Sequence, residues 1–266
     1  EFRRVLFRSS DFVDRINDSI IKGSKSLKGP QMAALGAAVL RIISTGGILI
    51  MNTFGHKASG CSFNSIREFN LDCIQKMWLN RGSVHGWNTF FDIIDCVSMI
   101  LMIWVFDGLR TINKDKDVGS LMVGCMEVAT VINVITSLVE TGIANTTKWM
   151  ATSWSGLEDK KYLADMEISY MLCRGSFSWL FTIDDFIMVV PYFWAYMLSH
   201  ENDRIPNSYA IESLLLALLS FLFFLMGMFE LINFTSRILM MIIGIPYIFI
   251  RFVWLFHSYS IFKKME

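Results

Sequence analysis

Six stretches of mostly apolar residues follow one another along the chain, and each is about as long as a bilayer core is thick. They lie at about 32–54, 88–109, 118–143, 176–198, 209–234 and 238–262. A helix needs roughly 20 consecutive apolar residues to cross a bilayer. The pattern therefore predicts an all-α integral membrane protein, a bundle of about six transmembrane helices.

The segments between and before these stretches carry weaker patterns. The two long connections, about 55–87 and 144–175, repeat apolar residues at near-helical spacing, which predicts an amphipathic interfacial helix in each outer loop. The pattern of apolar and charged residues in 10–30 predicts a cytoplasmic amphipathic segment on the membrane surface; a disordered tail is the alternative. Residues 31–262 are then a single transmembrane domain of six helices, and 263–266 form a cytoplasmic tail.

The first nine residues differ in character from the rest. The run from Glu1 to Ser9 is typical of a translated sequencing adapter, a non-native leader. We therefore expect the native fold to begin near Ser10, and an upstream helix is an open possibility.

Composition supports a membrane protein. The chain is 53% hydrophobic and 18% charged, and its mean hydropathy is +0.45. A soluble domain of 266 residues with 22 Phe and 17 Met would need an implausibly large core, so these side chains should face lipid. The net charge is zero and no basic cluster with interleaved aromatic residues occurs, which argues against nucleic-acid binding.

Positive residues in the short connections predict the orientation of the bundle. Cytoplasmic loops carry an excess of Lys and Arg. In this chain the residues that fall on one side are Lys22, Lys25, Lys28, Arg110, Lys114, Lys116, Arg204, Lys263 and Lys264. We therefore expect a multi-pass protein of the cell membrane with both termini in the cytoplasm.

Charged residues interrupt the apolar stretches, and they are the candidate functional residues. An ionised group in hydrocarbon costs several kcal/mol unless it faces a partner or water. The candidates for the polar interior are Asp92, Asp95, Glu127, Asp184, Asp185 and Glu230, and the candidates for charge pairing are Arg41 and Arg251. At a rise of about 1.5 Å per residue, most of these positions fall near the middle of the bilayer.

Two interpretations of these charges stay open. Arg41 and Arg251 should each contact an acid, with Asp95, Glu127, Asp184 and Asp185 as the candidates. The acids left over would line a hydrated site that binds or transports a proton, a cation or a small polar solute. Alternatively, the protein is an accessory or scaffold whose charges only pair helices, within the bundle, with a partner helix or in a homo-oligomer. An intramembrane lipid enzyme that uses Asp and water is a third possibility.

Spacing within the acidic pairs adds detail. Asp92 and Asp95 are three residues apart, so they lie on one helical face and could share a proton or bracket a cation. Asp184 and Asp185 are adjacent, about 100° apart around the helix, so only one can point at the bundle axis.

The sequence contains none of the common catalytic or nucleotide-binding motifs. The four His residues are isolated and form no HxxxH, HxxH or HExxH, and no GxSxG, P-loop or GxGxxG is present. We therefore predict no enzyme, no cofactor and no metal. No Cys pair has CxxC spacing; Cys61 and Cys73 share one loop, where a disulfide and free thiols both remain open.

The layout resembles the small six-span bacterial membrane proteins of the DUF4386 type. The resemblance lies in the long first outer loop, the amphipathic segment after the third span and the closing segment Gly244-Ile245-Pro246-Tyr247-Ile248-Phe249-Ile250-Arg251-Phe252-Val253-Trp254-Leu255. It implies a bundle of six spans and carries no established activity with it.

Overall fold

The computed structural model is predominantly helical in the part of the chain it describes, residues 26–57, 71–113, 116–154, 161–228 and 234–266. No strand occurs in those ranges, so the all-α prediction is confirmed for them. The helices are α1 (Lys28–Lys57), α2 (Leu71–Ile112), α3 (Lys116–Trp154), α4 (Lys161–His200), α5 (Asn207–Met228) and α6 (Phe234–Met265). The predicted leader, most of the amphipathic segment at 10–30, Cys61 and Glu230 lie outside the described residues.

The six helices form a closed ring. Each helix packs against the next one along the chain, α6 returns to pack against α1, and α2 touches α4 across the ring. This arrangement gives every helix one side that faces its neighbours and one that faces outward. Polar side chains can therefore be enclosed at the centre while apolar side chains cover the outside.

The start of α1 and the ends of α2, α4 and α6 lie at the same end of the ring. We call it the basal end and define it by Lys28, Asn113, Asn202 and Glu266. The ammonium of Lys28 lies 3.6 Å from Glu266 Oε1, which joins the start of α1 to the end of α6. Asn202 Nδ2 donates to Asn113 Oδ1 at 3.0 Å, which joins the segment after α4 to the end of α2. Consecutive helices therefore run in opposite directions.

Within the described residues, five helices are long and apolar enough to cross a membrane: α1, α2, α3, α5 and α6. Their outer faces are apolar, since Leu49, Leu138 and Phe249 are each 67% exposed. A surface of this kind is unfavourable in water, and the helices fit a membrane-embedded, multi-pass protein. The predicted span at 176–198 lies within α4 but is not among the five, so a sixth crossing stays a prediction.

The helices α2, α3 and α4 are longer than a bilayer requires. They contain 42, 39 and 40 residues, and 40 residues of helix measure about 60 Å. The described parts of the two outer loops are continuations of these helices, where the sequence predicted separate interfacial helices. No proline interrupts 71–87, 144–154 or 161–178, so each added residue extends the helical hydrogen bonding.

An aromatic core fills the basal half of the ring, and it consists of Phe106, Tyr192, Tyr209 and Trp254. The ring centroid of Trp254 lies 5.3 Å from Phe106, 5.5 Å from Tyr192 and 5.3 Å from Tyr209. All four side chains are fully buried.

Hydrogen bonds hold two of the three polar side-chain atoms of this aromatic core; the hydroxyl of Tyr192 has no partner within the described residues. Trp254 Nε1 donates to Ser213 Oγ at 2.8 Å, and the hydroxyl groups of Tyr209 and Ser258 are 2.9 Å apart. Buried indole and phenol groups of this kind need such partners because unsatisfied polar atoms are costly away from water. The hydrogen bonds connect α5 to α6 near the basal end.

Candidate functional site

Four charged side chains and one amide lie at the centre of the ring, each from a different helix. We call them the central cluster: Arg41, Asp95, Asn133, Asp184 and Arg251. They belong to α1, α2, α3, α4 and α6 in that order. The Asp184 carboxylate interacts with both guanidinium groups, with the Asn133 side chain and with Asp95. The cluster exists because five separate helices each place a polar residue at a similar level along the bundle.

Arg41 and Asp95 form the closed part of the central cluster. Arg41 Nη1 makes a salt bridge with Asp95 Oδ1, and the two side chains are only 19% and 18% exposed. Ser44, which is fully buried, donates its hydroxyl to the same Asp95 oxygen at 2.9 Å. Asp95 was one of the four acids expected to pair with an arginine. The two groups neutralise each other and connect α1 to α2.

Arg251 has surroundings of a different kind. Its Nη2 lies 2.9 Å from the sulfur atoms of both Met99 and Met102, and its central carbon is 5.9 Å from the centre of the Tyr247 ring. The residue is 3% exposed, and its Nε atom has no hydrogen-bond partner. The sequence predicted direct contact with an acid. In the described part of the chain no carboxylate forms a salt bridge with Arg251, because α2 presents thioethers to it.

Asp184 is the counterpart of Arg251 on α4. It is 9% exposed, and its Oδ1 atom has no hydrogen-bond partner. Buried carboxylate oxygens are normally hydrogen-bonded, so an unpartnered one calls for a functional or structural explanation. Pro191 lies within the same helix, where it removes a backbone hydrogen bond one turn from Asp184. Asp184 and Arg251 are thus two buried, opposite charges that interact without direct contact.

The remaining predicted acids lie at other places in the bundle. Asp185 is half-buried next to Asp184, so Asp184 is the member of that pair that faces the interior. Asp92 is half-buried one turn from Asp95; with Asp95 held by Arg41, the two acids do not form a free pair of carboxylates. Glu127 is exposed on the outer face of α3, whereas the sequence made it a candidate for the polar interior. Its neighbours Met126 and Thr130 occupy the inward face instead.

Three kinds of residue at the site carried little signal in the sequence. Asn133 is an uncharged polar residue in an apolar helix, so it is not among the charged candidates that the sequence indicates. In the structure its Oδ1 lies 3.8 Å from Cys96 Sγ, and its side chain interacts with Asp184. Met99 and Met102 look like any other apolar residues of a span, and Tyr247 looks like an interfacial aromatic residue. Only their contacts with Arg251 distinguish them.

Metal binding finds no support in the described residues. Within 26–57, 71–113, 116–154, 161–228 and 234–266, no group of three or more His, Cys, Asp and Glu residues could hold a metal ion. The central cluster brings Asp95 and Asp184 together with two arginines, and this balance of charge does not suit a divalent cation.

Comparison with protein-family models, with curated proteins and with solved structures gives no match for the chain. The resemblance to DUF4386-type proteins therefore stays a prediction. The function has to be argued from the chemistry of the central cluster.

Proposed function

We propose that this multi-pass membrane protein binds a proton or a small monovalent cation at Asp184, and that the bound ion is exchanged with the end of the bundle opposite the basal end. The observation that supports this most is the unpartnered Oδ1 atom of Asp184, a carboxylate oxygen enclosed in the bundle. Acidic side chains within spans commonly mark ion and proton pathways. The chain then acts as a binding or transport protein, with no catalytic step.

Arg251 has a clear role in this proposal. A positive charge near Asp184 opposes the binding of a cation, and a bound ion must be able to leave. The guanidinium is held by thioethers and an aromatic ring, so it is free of any direct bond to the carboxylate. We propose that Arg251 keeps the affinity of Asp184 for an ion moderate.

The aromatic core favours access from one side. Trp254, Tyr192 and Phe106 are fully buried between the central cluster and the basal end. We propose that the ion reaches Asp184 from the opposite end, because Asp92 is half-buried and lies one helical turn nearer that end than Asp95. Transport across the whole membrane would then need the aromatic core to rearrange.

The accessory or scaffold function is the second candidate, and the Arg41–Asp95 salt bridge favours it. That pair is closed by Ser44 and has no need of a ligand. If the whole central cluster acts in this way, its charges only fix how the helices pack. The two candidates differ in what happens when Asp184 loses its charge.

A reconstitution experiment tests the proposal. The full chain is placed in proteoliposomes with a trapped pH dye, and proton uptake is followed after a potassium diffusion potential is imposed. Asp184→Asn should abolish uptake without loss of thermal stability, because the amide keeps the shape of the carboxyl group. Glu127→Gln removes an acid from the outer face of α3 and should leave uptake unchanged. Sodium and potassium gradients extend the test to cations.

Two results would contradict the proposal. Uptake retained by Asp184→Asn would show that this side chain is not the binding group. A parent protein that takes up neither protons nor monovalent cations, together with a loss of stability in Asp184→Asn, would instead support the scaffold function.

The orientation is a proposal of its own. We propose that the protein lies in the cell membrane and that its basal end faces the cytoplasm. Cytoplasmic loops are rich in Lys and Arg, and the basal end carries Lys28, Arg110, Arg204, Lys263 and Lys264. Single cysteines introduced at exposed sites of the basal end, in a variant without other cysteines, should react with a membrane-impermeant maleimide only after permeabilisation. Labelling of these cysteines in intact cells would show that the basal end faces outward.

A further inference from the structure

A cleft of about 280 Å³ opens at the basal end, between the turn that precedes α5 and the last turns of α6. Its polar lining consists of Arg204, Ser208, His257, Ser260 and Lys264, and no carboxylate is among its described lining residues. The apolar span of α5 begins at Asn207 and that of α6 ends at Met265. The cleft therefore lies where the two spans meet the boundary between lipid and water.

The charge of the cleft is positive. Arg204 and Lys264 are exposed, and within the described residues neither side chain forms a salt bridge. His257 Nδ1 lies 2.9 Å from Glu212 Oε1, so that acid offsets charge on the imidazole and leaves the other ring nitrogen for the cleft. The first residues of α5 add the positive end of a helix dipole. Two uncompensated cations thus remain at one site.

Apolar residues lie directly beside these cations. Ile261, which is 4% exposed, Met265 and Pro206 complete the lining of the cleft. A ligand that satisfies both parts needs an anionic group attached to an apolar body. Free inorganic phosphate would leave the apolar part of the cleft unused, whereas a phospholipid matches both.

We propose that this cleft binds the phosphate headgroup of an anionic phospholipid from the leaflet at the basal end. Arg204 and Lys264 contact the phosphate oxygens, and the glycerol and first acyl carbons lie against Ile261 and Met265. Basic pockets between transmembrane helices recognise anionic headgroups in this way. The site is separate from the central cluster and does not depend on the function proposed for Asp184.

The test measures binding of a short-chain phosphatidic acid to the full chain in detergent by native mass spectrometry. The charge-removing variant R204Q/K264Q should bind the lipid about 30-fold more weakly, because each of the two cations contributes about 1 kcal/mol near an anionic surface and about 1.4 kcal/mol is tenfold in affinity. The matched control K148Q/K263Q removes the same total charge from exposed lysines outside the cleft and should bind as the parent does. The charge-conserving R204K/K264R should retain binding.

Three outcomes would overturn the proposal. Equal losses in R204Q/K264Q and K148Q/K263Q would mean that only overall surface charge matters. Equal binding of a short-chain phosphatidylcholine would mean that the cleft does not select an anionic lipid. Glycerol 3-phosphate that binds as tightly as the phosphatidic acid would assign the cleft to a soluble phosphate compound.

Discussion

Arg41 and Arg251 are the same kind of residue in two apolar helices, yet their surroundings differ in almost every respect. Arg41 makes a salt bridge with Asp95, and a buried serine donates to the same carboxylate. Arg251 is more deeply buried, and its Nη2 atom contacts two thioether sulfurs. Its charge interacts with the carboxylates of Asp95 and Asp184, and within the described residues neither of them forms a salt bridge with it.

The difference shows that one cluster contains a closed pair and an open pair. In the closed pair the charges cancel at contact distance, so their main effect is on helix packing. In the open pair each partner keeps an unpartnered polar atom, Nε of Arg251 and Oδ1 of Asp184. The open pair can bind a ligand as it stands, whereas the salt bridge of the closed pair has to break before either group can bind one.

The largest expected effect is on the closed pair. Asp95→Asn leaves the Arg41 charge without its counter-ion in the interior, and breaking a buried pair in this way costs about 3–5 kcal/mol. The free energy of unfolding, measured with a denaturant in mixed micelles, should fall by that amount. Lys28→Gln, which removes the partner of Glu266 at the basal end, where the Lys28 side chain is 77% exposed, is the control and should change little. Equal stability of parent and Asp95→Asn would remove the distinction between the two pairs.

Replacing each arginine should affect the stability of the protein differently at the two positions. Arg41→Met leaves Asp95 without its cation, whereas Arg251→Met places a third thioether beside Met99 and Met102. We expect Arg41→Met to be less stable than Arg251→Met by about 2 kcal/mol, since removal of one member of a contact pair strands the other. The same unfolding measurement applies. The reverse order would show that Arg251 and Asp184 are the more tightly coupled pair.

A smaller effect should follow from the serine of the closed pair. Ser44→Ala removes the hydrogen bond to Asp95 Oδ1 and should cost about 0.6–1.7 kcal/mol, the range measured for hydrogen bonds between membrane helices. Ser260 lies on an exposed face of α6, and its hydroxyl donates only to the backbone of its own helix, so Ser260→Ala is the control. A double-mutant cycle with Asp95→Asn should show the two changes to be coupled. Additive changes would mean that Ser44 acts independently of the pair.

The smallest effect is expected at the thioethers. Met99→Leu and Met102→Leu keep the volume and lose the sulfur acceptor, and each should change stability by less than about 1.5 kcal/mol. In the open pair, loss of both sulfurs should bring Arg251 closer to Asp184 and weaken ion uptake. Met122→Leu, a buried methionine of α3 without a contact to Arg251, should leave uptake unchanged. Unchanged uptake in the double variant Met99→Leu and Met102→Leu would assign these residues to packing alone.

The outer face of α3 shows why the sequence could not place every charge. Glu127 and Asp184 both lie in apolar spans at similar predicted depth, but only Asp184 is enclosed. In a soluble helix the apolar stripe marks the buried face. In a membrane helix both faces are apolar, because lipid is as apolar as the interior, so the periodic signal is weak. The face on which a charge lies is then decided by the neighbouring helices.

Local sequence was sufficient for the helices themselves. The length and apolar content of the stretches predicted the described all-α architecture, since backbone groups in lipid must be satisfied within each helix. The same local rules located the polar positions within those helices. The continuous helices α2 and α4 were not predicted, because periodic loop segments that contain no proline fit a separate interfacial helix as well as an extension.

The amino-acid sequence by itself therefore determined which segments are helical and which of them carry charges in apolar surroundings. Only the tertiary structure decided that Arg41 meets Asp95, that Arg251 meets two methionines and that Glu127 faces outward. The physical reason is one of range. Helix formation and hydrophobicity act over a few neighbouring residues, whereas the partner of a charge depends on how five helices are rotated against one another around the ring.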